Sequence, residues 1–248
     1  MHRLFPFVLS WLAAACISCP ARGQSTPGLP TPVAEPIKVL FLGNSLTYTN
    51  DLPAILSALG ASADSMRRIR TKSFTMPRGT LEQLWRMGSA AQLIREGDWD
   101  FVVLQERGGW PLRYPESMRT YSRLFDAEIR KSGAKTILFL TWANWDKQEM
   151  QSVVNEAYYS IAKELNATVA PVGPAWEAAS RLSPNISLYN GDQFSHPTAA
   201  GSYLAACVIY LVITNQPACP AIESRFDIQP DEIATARRAA VQVMIDFR

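Results

Sequence analysis

Short apolar runs of four to six residues alternate along the chain with longer stretches whose apolar positions recur every three or four residues. The runs read as buried strands and the longer stretches as amphipathic helices. The first strand spans Ile37 to Leu42. A helix follows from about Asp51 to Leu59, with Leu52, Ile55, Leu56 and Leu59 on one face; Asn50 or Asp51 caps it and Pro53 fits its first turn. Residues 67–74 alternate Ile69, Thr71 and Ser73 with charged neighbours, as a strand near a sheet edge does. After a turn at 76–79, Thr80 is placed to cap one helix running through Leu81, Leu84, Trp85 and Leu93. Phe101 to Leu104 is a short, wholly apolar strand.

Beyond it, Tyr114 to Lys131 is expected to be helical, with Met118, Tyr121, Leu124, Phe125 and Ile129 facing the core and Gly133 ending it. Thr136 to Leu140 is the next strand, Lys147 to Leu165 a long helix, and Thr168 to Pro171 a short last strand. Val172 to Leu182 contains a brief helix, 183–196 form a loop, Pro197 starts a helix through Leu211, and a final helix runs from Pro230 to about Ile245. Five strands alternating with helices define an α/β domain with a parallel sheet covered on both faces. No glycine-rich phosphate loop and no dinucleotide fingerprint is present.

The 248 residues, 48% of them hydrophobic, suffice for one sizeable core. The N-terminus reads as a processed segment. His2 and Arg3 precede an apolar stretch from Leu4 to Cys19, too short and proline-interrupted for a span. Small residues Ala21 and Gly23 then suit a signal peptidase. Cleavage after Gly23 would release an exported protein, periplasmic or secreted. An uncleaved anchor and lipidation at Cys16 are the alternatives. Residues 24–36 are a proline-rich linker and residues 37–248 the domain. Removing Arg3 and Arg22 leaves 22 basic against 22 acidic residues, with no basic stripe for nucleic acid. Export leaves Cys207 and Cys219 as a pair. In an oxidising compartment they bridge a helix end to the following loop; otherwise they remain two unpaired thiols. Two cysteines and one mature histidine do not make a metal site, and no cofactor is implied.

In open parallel sheets, ligands bind outside the carboxyl ends of the strands. Those ends here carry Asn44 and Ser45, Gly79, Gln105 and Glu106, and Asn144. A further segment, Asp192-Gln193-Phe194-Ser195-His196, precedes a helix. His196 is the one histidine after position 2, so a histidine base must be this residue. Asp192, four residues earlier, is placed to reach its ring and hold its tautomer. His196 could then activate Ser45 against a carbonyl. The competing reading has His196 packing at a helix start and Ser45 finishing a turn. Candidate oxyanion donors are the Ser45 N–H, the Gly79 N–H and the side-chain amide of Gln105, ranked above that of Asn144. Asn44, Glu106, Trp110 and Asn144 are candidate substrate contacts. Trp110, Trp142 and Trp145 gather on the same face and suit a sugar ring, an aromatic acyl group, a lid or the core.

These residues resemble the SGNH/GDSL hydrolase superfamily over residues 37–248. Gly43-Asn44-Ser45-Leu46-Thr47 is similar to its Gly-Asp-Ser-Leu motif, which implies Ser45 as nucleophile. Asp192 to His196 is similar to its Asp-x-x-His motif, which implies Asp192 and His196 as acid and base. Gly79 falls where the family has its oxyanion glycine. Asn44 stands in place of the usual aspartate, and Gln105-Glu106-Arg107-Gly108 occupies the region of the family's Gly-x-Asn-Asp. The resemblance implies a three-layer α/β/α, flavodoxin-like sandwich with strand order 2-1-3-4-5. It also implies metal-free, two-step ester hydrolysis through an acyl-serine. The expected function is an exported esterase acting on a small-molecule or glycan ester, such as a carbohydrate O-deacetylase. The altered middle motif keeps open a non-catalytic glycan-binding domain on the same fold.

Overall fold

The computed structural model describes residues 35–62, 67–192, 195–222 and 226–247, together with His2. The expected signal segment, with Cys16, and nearly all of the linker lie outside the described residues. Residues 34–248 form one compact unit.

Five parallel strands run in the order β2-β1-β3-β4-β5: β1 (Ile37–Gly43), β2 (Ile69–Thr75), β3 (Phe101–Leu104), β4 (Lys135–Phe139) and β5 (Thr168–Ala170). Leu42 pairs with Phe74 on one side and Leu104 on the other, and Leu104 pairs with Leu138. The carboxyl ends of four strands therefore lie level, and the loops after them share one edge of the sheet. Successive side chains on a strand point to opposite faces, and the core divides accordingly. Val39, Phe41, Val103, Ile137 and Phe139 join one apolar cluster, while Leu40, Leu42, Val102, Leu104 and Leu138 join the other.

Helices cover both faces: α1 (Ser45–Tyr48), α2 (Leu52–Ala61), α3 (Leu81–Arg86), α4 (Ser89–Glu96), α5 (Trp110–Arg113), α6 (Pro115–Lys131), α7 (Gln151–Leu165), α8 (Val172–Leu182), α9 (Ala199–Thr214) and α10 (Pro230–Asp246). The side chains of α2, α8, α9 and α10 fill the first cluster, and those of α3, α4, α6 and α7 the second. Among the described residues no helix is long and apolar enough to cross a membrane. The apolar α9 is instead buried almost all round, against α2, α8 and α10.

The structure corrects several sequence-based expectations. The stretch after Thr80 is two helices, because Gly88 adopts a left-handed conformation (φ 75°) between α3 and α4. Thr80 does cap the first, in a reciprocal capping box with Gln83. Leu124 is exposed; the buried stripe of α6 is Met118, Ser122, Phe125, Asp126 and Ile129. Val172–Leu182 is helical throughout. Pro197 lies outside α9, in a bridge with Tyr189, and Thr198 is the cap. Cys207 and Cys219 are buried free thiols, so the expected bridge is not formed.

Candidate active site

β1 ends at Gly43, and the chain turns at once into α1, whose first residue is Ser45. Asn44 caps this short helix: its Oδ1 accepts from the Leu46 N–H (3.1 Å), and its Nδ2 donates to the Gly79 carbonyl (2.8 Å). The turn is clamped from the neighbouring strand by Gln105, just past β3. Its buried Oε1 accepts from the Asn44 N–H (2.9 Å) and the Thr47 hydroxyl (3.0 Å), and its Nε2 donates to the Glu106 carbonyl. Gly43 is what admits this clamp. A Cβ there would stand 2.6 Å from the Gln105 Oε1 and 2.8 Å from the Thr47 Oγ1.

The histidine arrives on the loop between α8 and α9. His196 Nε2 lies 2.8 Å from Ser45 Oγ, and His196 Nδ1 is hydrogen-bonded to Asp192 Oδ2. The other Asp192 oxygen accepts the His196 backbone N–H (3.1 Å), and the Asn190 side chain accepts the Asp192 N–H (3.0 Å). The loop is held from behind. Trp142 donates its ring N–H to the Ser195 carbonyl (2.9 Å) and stacks on Trp176 at 3.9 Å between ring centroids. Ser195 Oγ accepts the Trp145 N–H (3.1 Å). Ser195 itself has φ 56°, a left-handed conformation uncommon for a serine. The Asn50 side chain donates to the Pro197 carbonyl and to Ser202, tying the histidine loop to the turn after α1.

With Nδ1–H directed at a carboxylate, Nε2 is the unprotonated nitrogen facing the serine hydroxyl. The sequence-predicted trio thus forms one hydrogen-bonded line. Gln193 and Phe194, between its acidic and basic members, lie outside the described residues.

Ser45 and His196 open onto a cleft of about 920 Å³, also lined by Asn44, Trp110 and Asn144. The expected oxyanion donors fare unequally. The Ser45 N–H has no acceptor among the described residues. The Gly79 N–H is already donated to the Met76 carbonyl (2.9 Å), so it is committed to its own turn. The Gln105 amide is engaged in the clamp through both its oxygen and its nitrogen and does not line the cleft. Asn144 reverses the expected ranking. It lines the cleft, and its side-chain amide has no partner among the described residues.

Glu106 is also not a substrate contact. It is fully buried, and its Oε1 accepts from the N–H groups of Leu81 (3.3 Å) and Arg107 (2.6 Å), while its Oε2 has no partner among the described residues. Burial pushes its carboxyl up to about 7, against the downward pull of those two N–H groups. Of the tryptophans, Trp110 lines the cleft, Trp142 is core, and Trp145 is exposed outside the lining. Arg107, which the sequence offers with Glu106 as a partner for substrate, does line the cleft, whereas the sequence reading missed its other cationic side chains, Arg78, Arg113 and Lys147. Their signal was present, since these three lie in segments that follow strands β2, β3 and β4. Among the described residues, no three His, Cys, Asp or Glu side chains gather as metal ligands.

A five-stranded parallel sheet in this order, covered by helices on both faces, is the fold of the SGNH/GDSL hydrolases. No family model matches the sequence, and no curated protein matches it. Solved structures do. A DUF4886-family protein from Bacteroides uniformis superposes with a TM-score of 0.69 at 17% identity, over 85% of this chain and 95% of that one. A candidate SGNH hydrolase from Slackia heliotrinireducens gives 0.61 at 23% identity, over 73% of this chain and 100% of the other. The acetyl xylan esterase AlAXEase gives 0.58 at 14% identity, over 71% and 100%. At these identities the likeness is one of fold.

Proposed function

We propose that the chain is an exported serine esterase that cleaves carboxylic esters through an acyl-serine, with O-acetylated carbohydrate as substrate. The observation that carries this reading is the line Ser45–His196–Asp192 at the wall of an open cleft. Ser45 Oγ attacks the ester carbonyl carbon as its proton passes to His196 Nε2. Asp192 holds the ring and stabilises the imidazolium. The oxyanion takes the Ser45 N–H and the Asn144 side-chain amide as donors. The C–O bond to the alcohol breaks while His196 returns the proton to the departing oxygen. Water then attacks the acyl-serine, giving a proton to His196, which passes it back to Ser45 Oγ as the acid leaves.

The carbohydrate assignment is supported by Trp110 on the cleft, with Tyr114 against it at 4.6 Å between ring centroids. The fold is also one that an acetyl xylan esterase uses. Nitrophenyl acetate hydrolysis by wild type, Ser45→Ala and His196→Ala tests the reading. Turnover lost in both folded variants supports it; equal turnover in all three would sink it.

One observation favours a second reading, a non-catalytic glycan-binding domain. Gly79 and Gln105, two of the expected oxyanion donors, are both committed elsewhere. That reading expects glycan affinity that survives Ser45→Ala in a protein without saturable, Ser45-dependent turnover.

A further inference from the structure

Charge is distributed unevenly over this nearly neutral chain. Seventeen residues line the cleft; Arg78, Arg107, Arg113 and Lys147 are among them, against one carboxylate residue, Glu149. The cations come from three separate connections: Arg78 from the one after β2, Arg107 and Arg113 from the one after β3, and Lys147 from the one after β4. Elsewhere, several basic residues are matched with acids. Arg119 and Arg123 share Glu164, Arg130 holds Asp126, and Arg95 and Lys131 hold Glu128. Arg107, Arg113 and Lys147 have no carboxylate within 4.0 Å among the described residues. Glu106 lies within electrostatic reach of Arg107, but its carboxyl is buried and turned onto backbone N–H groups. The Arg107 guanidinium sits 4.5 Å over the Trp110 ring. That contact holds its plane without consuming its charge.

We propose that the cleft takes esters whose alcohol part carries a carboxylate, as an O-acetylated uronic acid does. This rests on the esterase reading: an acetyl group has no place for a charge, so the anion belongs to the alcohol. Planar guanidinium groups match a carboxylate in geometry. A cleft lined by one sign of charge concentrates substrates of the other, by roughly 10-fold to 1,000-fold.

The test compares 4-acetoxybenzoate with neutral 4-acetoxybenzamide, each rate normalised to uncatalysed hydrolysis. Wild type should favour the anion in kcat/KM by about tenfold or more at 0.01 M salt. The preference should shrink at 1 M salt, where the screening length falls from about 30 Å to about 3 Å. The double substitution Arg113→Gln/Lys147→Gln, at two exposed positions, should move the ratio toward one. Equal or better use of the amide, or a ratio that responds to neither salt nor substitution, would overturn the proposal. Ser45-dependent hydrolysis of the neutral ester reports separately on the esterase reading. Titrating Ser45→Ala with both esters reads the charge preference as affinity, so the inference is decided even where turnover fails.

Discussion

Glu106→Gln is a perturbation whose magnitude follows from the structure. The carboxyl has an ordinary value of 4.5 and is raised by burial to about 7 in the fold. Each tenfold gain in proton affinity is worth about 1.4 kcal/mol, so the difference amounts to about 3 kcal/mol. The folded state holds this proton more tightly than the unfolded chain does. Glu106 therefore contributes its full stability below about pH 4.5 and loses it as the pH rises toward 7. Above that, both states are ionised and the contribution is flat. Glutamine keeps an oxygen for the Leu81 and Arg107 N–H groups but has nothing to ionise. Urea unfolding of wild type and variant, followed by tryptophan fluorescence from about pH 4.5 to 8, measures the effect. The wild-type stability minus that of the variant should fall by about 3 kcal/mol across the window, the other carboxylates cancelling in the difference. A difference that stays level, or that rises with pH, would refute the assignment of a buried, proton-retaining carboxyl beside the site.

Three further outcomes are expected. Gln105→Ala removes the acceptor of the Asn44 N–H and the Thr47 hydroxyl, which should cost about 2–4 kcal/mol in unfolding experiments. It should also lower kcat on nitrophenyl acetate more than it raises KM, since the amide positions the serine turn without lining the cleft. Trp142→Ala loses the stack on Trp176 and the bond to Ser195. We expect about 3–5 kcal/mol of destabilisation by thermal melts, with reduced turnover in the folded fraction as the His196 loop slackens. Intact mass of native material should start at Gln24, whereas a lipid-bearing chain beginning at Cys16 would replace cleavage with anchoring.

The fold was legible because its cause is local and repeated. Runs such as Phe101 to Leu104 are too short and too apolar for anything but buried strands, and the helices between them carry a 3.6-residue stripe. The strand order was implied by the motifs rather than by periodicity, and the structure has it. Boundaries were less legible. The break at Gly88 depends on one backbone conformation, and the exposure of Leu124 depends on how α6 is rotated. At the site, the line through Ser45, His196 and Asp192 was readable from residue types and the four-residue spacing. The fate of Gln105 was not. Whether an amide faces the cleft or clamps the neighbouring turn depends on the contact between β1 and β3, where Gly43 leaves room for it. Gly79 was misjudged for a related reason, because its N–H closes a turn onto Met76. The cationic cleft escaped notice since its members are far apart in sequence and meet only when three loops share one sheet edge.

The most direct test of an activated Ser45 is the intact mass of the purified protein after incubation with a fluorophosphonate, beside Ser45→Ala treated identically. A single adduct on wild type and none on the variant is expected, because a fluorophosphonate reports a serine activated by its histidine. An unmodified wild-type protein with its fold verified, or equal labelling of both, would contradict the esterase reading and give the weight to glycan binding.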